Sequence, residues 1–206
     1  MYNMIRTRHA CFAAAFLFFS TTSYTQERDN QQTTDVTSVT FLSPGIRYEK
    51  AINKFTSLYG SFNWYPTFYY WSGFGGSETA FYLDPGFSLQ YRFYYNFYGR
   101  SERGRRTDMN SANYIAPIVF VVFTKNSVSD YDYDEVDRRA VTTVGAVWGM
   151  QRNYRKRFSL DLHLGVGHYY AKGTTQDGGG NLIKVNRDDW TYLGGLSLGF
   201  WINKRK

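Results

Sequence analysis

Cysteine is almost missing from this chain: among 206 residues Cys11 stands alone. No disulfide framework can form, and a zinc site built on thiolates lacks its ligands. Histidine is nearly as scarce. Beyond the first 25 residues only His163 and His168 remain, and neither accompanies a serine in a recognisable nucleophile motif, so the sequence argues against an enzyme and calls for no cofactor and no metal. Long apolar runs are absent as well, save residues 11–19, which are too few to cross a bilayer as a helix. No proline-rich or serine-rich linker divides the chain, which reads as one domain.

What that short run does suit is a secretory leader. Arg6 and Arg8 precede it, and Ser23-Tyr24-Thr25 offers a small-x-small cleavage site, so residues 1–25 are expected to direct Sec-dependent export. Cys11 has no leucine three positions before it and still precedes most of the apolar core, which argues against a lipid anchor. A net charge of +7 and a pI near 9.4 would in another setting suggest nucleic acid. Losing Arg6 and Arg8 takes the 24 basic residues to 22 against 17 acidic ones, a net +5, and an exported chain rarely meets nucleic acid. Arg103-Gly104-Arg105-Arg106 matches such a patch by composition alone.

Aromatic residues make up 20% of the chain, yet mean hydropathy is −0.48, as in a polar protein. Alternation reconciles the two. Over 80–97, Phe81, Leu83, Phe87, Leu89, Tyr91, Phe93, Tyr95 and Phe97 are assigned to one face, with Asp84, Ser88, Gln90, Arg92 and Asn96 opposed. A period of two is a strand, and this one exceeds the 9 to 11 residues or so that a tilted strand needs to cross a membrane. The pattern returns over 55–70 and 158–170, and less cleanly over 113–123, 141–151 and 190–203.

Connections at 53–54 and 153–156 are short, whereas 71–79, 124–137 and 172–189 read as long loops, the arrangement of transmembrane barrels. Basic residues, among them Lys50, Lys54, Arg100, Arg105, Arg152 and Arg157, gather on the short-turn side, which is expected to face the periplasm. They are either solvated turns or attracted to phospholipid headgroups. Strand number depends on Ser43-Pro44-Gly45-Ile46: Pro then Gly at the centre predicts a type II turn that splits 36–52 into strands 36–42 and 46–52, making eight.

Two constellations carry charge. Glu49, Arg92, Asp161 and His163 fall on the lumen-facing positions, where an eight-stranded barrel is filled by side chains; they read as a structural ion-pair network or as an ion path. Asp130, Asp132 and Asp134 have the alternate-acid spacing of a calcium loop. The sixth position is Glu135 rather than glycine and the twelfth is Val141 rather than glutamate, so an acidic surface loop with at most weak cation affinity is expected.

Leu42-Ser43-Pro44-Gly45 with Tyr48-Glu49, Leu89-Gln90-Tyr91-Arg92 with Tyr94-Tyr95-Asn96-Phe97, Gly149-Met150-Gln151-Arg152, and 160–167 together resemble small outer-membrane β-barrel proteins common in Bacteroidetes. The resemblance runs from about residue 36 to the C-terminus. It implies a fold and a location, outer membrane with lipid and lipopolysaccharide as neighbours, and no functional residues. The expected organisation is therefore leader 1–25, a short disordered segment 26–35, an antiparallel up-and-down transmembrane β-barrel over 36–203, and a basic tail 204–206. The expected role is structural, surface-interacting or weakly porin-like, in a monomer. A soluble exported lipocalin-like barrel, its apolar faces turned inward on a ligand, is the alternative, and a lipid-modifying enzyme the third.

Overall fold

The computed structural model describes residues 32–73, 76–129 and 132–203, the side chains of 67–80 and 82 excepted; the expected leader and basic tail lie outside the described residues. Eight strands run in chain order: β1 (Val36–Thr40), β2 (Gly45–Ala51), β3 (Thr56–Gly73), β4 (Gly76–Phe93), β5 (Asn113–Thr124), β6 (Arg139–Asn153), β7 (Phe158–Gln176) and β8 (Leu182–Trp201). Each pairs antiparallel with the next, and Ser38, Val39 and Thr40 of β1 pair with Trp201, Phe200 and Gly199 of β8 to close the ring. The antiparallel, up-and-down fold is thus as the alternation predicts, and its eight strands are the number that the expected split of 36–52 gives.

Small and polar side chains point inward: Ser38, Arg47, Glu49, Ser57, Gln90, Arg92 and Asp161 are buried. Large apolar ones point outward: Ile46, Phe81, Leu89, Phe93, Ile115 and Leu164 are all exposed. Strand β5 breaks the pattern, because its inward residues Tyr114, Ala116 and Ile118 are apolar too and pack with Val147, Tyr94 and Phe97 into a hydrophobic cluster in the lumen. With both faces apolar, β5 offers little alternation to read. Its Pro117 has no N–H to give, and the ladder to β4 passes from Gln90–Ile118 directly to Phe93–Ile115.

The first hairpin turns where the sequence predicts a split, but by different means. The turn is residues 41–44, and Gly45 already pairs with Thr40 as the first residue of β2. Gly45 is needed for close approach rather than for the turn: a Cβ there would lie 2.2 Å from the Phe62 carbonyl oxygen of β3. The turn's own carbonyls are satisfied locally, with the Ser43 oxygen accepting from Thr40 Oγ1 (2.6 Å) and Asn63 Nδ2 (2.8 Å).

Two expected loops are largely strand. β3 and β4 stay paired as far as Gly73–Gly76, and β7 and β8 as far as Gln176–Leu182, so 71–73 with 76–79, and most of 172–189, are the upper parts of tall hairpins. Conversely, the longest connection at the basic end, residues 94–112, contains helix α1 (Phe97–Glu102) and a one-turn 3-10 helix (Asp108–Asn110). Strand β4 ends at Phe93, and Tyr94 and Phe97 turn into the lumen where the alternation had extended the strand. Tethering begins ahead of β1: the Thr34 N–H donates to Asn110 Oδ1, and the Ala51 N–H to Asp35 Oδ1.

Candidate functional site

Three of the four lumen residues singled out by charge and alternation meet in one layer near the basic end. Glu49 from β2 accepts from Ser57 Oγ (2.5 Å), the Tyr94 hydroxyl (2.5 Å) and Gln151 Nε2 (3.1 Å). Arg92 from β4 donates through Nη1 to Asp161 Oδ2 (2.8 Å) and Gln151 Oε1 (2.6 Å), and through Nε to Gln90 Oε1 (2.9 Å). Asp161 also accepts from the Tyr114 hydroxyl at 2.9 Å. Gln151 therefore ties the two carboxylates into one network.

Arg92 Nη2 has no acceptor among the described residues. Its guanidinium is instead sandwiched: Cζ lies 3.6 Å from the Tyr59 ring centre and 4.1 Å from that of Tyr114. Faces of aromatic rings carry negative potential, so the stack supplies part of what a missing acceptor would. Arg47, buried on β2, donates to Ser159 Oγ (3.0 Å) and brings a second positive charge toward Asp161. Two carboxylates thus face two guanidiniums, the balance that burial of charge demands.

His163 stands apart. Its Nδ1 is 3.8 Å from Asp161 Oδ1, beyond hydrogen-bond range, and its ring lies over Gly195, where a Cβ would meet it at 2.4 Å. Ser197 faces Asp161 across the β7–β8 ladder, but its buried Oγ has no hydrogen-bond partner among the described residues, so it makes no Ser–His pair with His163. Arg92 is 0% exposed and Gln90 1%, with Tyr114 at 0%. This layer is a seal of the lumen: every titratable group in it is held in place, and none is offered to solvent.

The acidic loop is arranged otherwise. Asp132 accepts from both Nε and Nη2 of Arg187 on β8, Asp134 accepts from the Ser127 N–H, and Asp130 lies outside the described residues. Glu135 pairs with Lys184 and accepts from Thr174 Oγ1 at 2.8 Å. Partial desolvation pushes the Glu135 carboxyl up, but the hydrogen bonds from Lys184 and Thr174 and the charges of Lys184 and Arg139 hold it below its ordinary value. The Tyr133 N–H donates to the Thr174 carbonyl, so this loop covers the top of β7 on the edge that β6 no longer reaches. Among the described residues no three acidic or histidine side chains converge as a metal site.

Sequence reasoning missed the uncharged members of the seal. Tyr94, Gln151, Tyr59 and Tyr114 connect the charges, yet only closure of the ring brings 59, 94, 114 and 151 together. No family model, curated protein or solved structure matches this chain.

Proposed function

We propose that this protein is an outer-membrane β-barrel whose lumen is sealed and whose role is structural and surface-presenting, with the tall β3–β4 and β7–β8 hairpins and the 125–138 loop as the presented surface. The observation that carries this reading is the inversion of burial: Arg92, Glu49 and Asp161 are inside while Phe81, Leu89 and Phe93 are outside. Water would oppose such an arrangement, since exposed apolar area is disfavoured by about 25 cal/mol per Å². Hydrocarbon favours it, and a closed ring leaves no sheet edge in the part that closes. The outward direction of Phe81, Leu89 and Phe93 also speaks for lipid over an apolar ligand held inside.

The seal supports a closed barrel over a pore, because ions would have to displace a stacked and ion-paired guanidinium. Fractionation of cells making the full chain tests the reading. The protein is expected in membranes that resist carbonate extraction, with faster gel migration before boiling than after. Recovery from the soluble periplasm without detergent would overturn it.

A further inference from the structure

The outer wall is not equally smooth all round. Between β8 and β3 the ring is closed by its two shortest strands, β1 and β2, of five and seven residues against 20 and 18 for those neighbours. On the β8–β1 side stands a ridge, the rings of Phe41 and Phe200, which lie 5.9 Å apart and are 52% and 46% exposed. On the β2–β3 side lies a groove of about 550 Å³, bordered by Ile46, Tyr48, Leu58, Phe62 and Leu89. Gly60 forms its floor, where a Cβ would meet nothing within 4 Å. Ridge and groove stand at one height, because Phe200 pairs with Val39, Val39 with Ile46, and Ile46 with Phe62, two residues from Gly60.

Copies of one barrel share their orientation in a membrane, so two of them meet about an axis parallel to the barrels. With that axis through the β1–β2 hairpin, β8 of each copy stands opposite β3 of the other, and each ridge faces a groove. Charge agrees at the foot of the same wall. Lys50 on β2 and Asp35 just ahead of β1 form an exposed pair at 2.7 Å, and the rotation sets each lysine against the other copy's aspartate. The half-exposed apolar side chains of β8, β1, β2 and β3 here offer on the order of 800 Å² per copy, as much as one partner buries in a standard interface.

The backbone calls for the same neighbour. Above the hairpin the β8–β1 ladder ends with the Phe41 N–H on the Leu198 carbonyl, and the β2–β3 ladder with the Trp64 N–H on the Pro44 carbonyl. Alternation turns the N–H and C=O of Leu196, Gly194 and Tyr192 to that side too, and they meet no backbone partner there among the described residues. Trp190, next in the row, gives its N–H to Asp189 Oδ1 at 2.7 Å. On β3 the next residue turned this way is Pro66, which has no N–H to leave bare. Lipid tails fill a groove but accept and donate no hydrogen bond, whereas an antiparallel strand does both.

We propose that this wall is the contact face of a two-fold dimer, with Phe41 and Phe200 of each copy seated in the other's groove over Gly60. The proposal rests on the membrane-barrel reading and puts a dimer in place of the monomer expected from the sequence.

The test uses membranes carrying the full chain in a C11S background, which removes its one cysteine. I46C places a cysteine beside the proposed axis, and V144C places one on β6, across the ring. A short bismaleimide is expected to join I46C chains in pairs and to leave V144C chains single on denaturing gels. G60W fills the groove from outside and should cut the joining of I46C by about tenfold or more. F41A/F200A should cut it several-fold and serves if G60W does not fold. Equal joining of I46C and V144C, undiminished joining in these variants while they keep the heat-dependent gel shift, or a native mass spectrum of single chains carrying lipid would overturn the dimer. The wild type separates the two levels: with its gel shift present, those outcomes defeat the dimer alone. Absence of the shift, with release on carbonate washing, defeats the barrel in membrane and the dimer with it.

Discussion

The two ends of this barrel use the same chemistry, carboxylate against cation, in opposite settings. At the basic end Arg92 and Asp161 are 0% and 3% exposed and are locked by Tyr59, Tyr114, Gln90 and Gln151. At the loop end Asp132 is buried while its partner Arg187 is 29% exposed, and Lys184 opposite Glu135 is 59% exposed. Charge removed from water depends on its partner for nearly all its stabilisation, whereas charge left in water loses little when the partner goes. The basic end should therefore govern stability. The loop end should govern only how the loop lies.

The largest expected effect follows at Arg92. Replacement by methionine leaves Asp161 buried without its counter-charge and empties the slot between Tyr59 and Tyr114, for a loss of about 3–5 kcal/mol. Urea unfolding of the protein in lipid vesicles, followed by gel shift, measures it. The double variant R92M/D161M removes both charges and should recover most of that loss. A loss under about 1 kcal/mol for R92M would show the seal to be no tighter than a surface pair and break the comparison between ends.

How much of this was legible beforehand varied with what each feature depends on. Period-two alternation needs no knowledge of the partner strand, and the strands around Leu89 and Leu162 are where it placed them. Glu49, Arg92 and Asp161 were legible for a related reason: charge on the polar face of such a strand has nowhere to go but the lumen. Strand β5 was blurred because Tyr114, Ala116 and Ile118 meet Tyr94 and Phe97, and Tyr94 leaves β4 in a way that alternation alone does not signal. Gly173, Thr174, Gly178, Gly179 and Gly180 read as loop by composition. Yet the β7–β8 ladder runs through the first two, because two strands that extend together satisfy each other's backbone whatever their side chains. The Pro44-Gly45 pair suggested a turn through glycine's conformational freedom. The actual requirement, room for the Phe62 carbonyl, belongs to a neighbour that the local sequence does not name.

Between the extremes lies Asp132. Its carboxylate is buried and held by two nitrogens of Arg187, but that guanidinium reaches solvent and can rehydrate. D132N keeps the shape, loses the charge, and should cost about 1–2 kcal/mol in the same unfolding experiment, well short of R92M. A loss equal to that of R92M would mean that the loop is part of the folding core and that the ends do not differ as argued.

The smallest effect sharpens the comparison through pH. Glu135 has its carboxyl held below the ordinary 4.5 in the folded loop, so its contribution is present above that value and is lost as pH falls through the lowered folded one. The Tyr133 amide, bonded to the Thr174 carbonyl at 2.8 Å, reports on the contact. Its hydrogen-exchange protection, corrected for the intrinsic rate, should decline below about pH 4.5 in the wild type while the gel shift persists. In E135Q the protection should already be reduced at neutral pH and should vary little on acidification, because no charge remains there to neutralise. If instead the Tyr133 amide and the whole barrel lose protection together, the loop is coupled to the seal, and the acid at the mouth governs more than the loop's position.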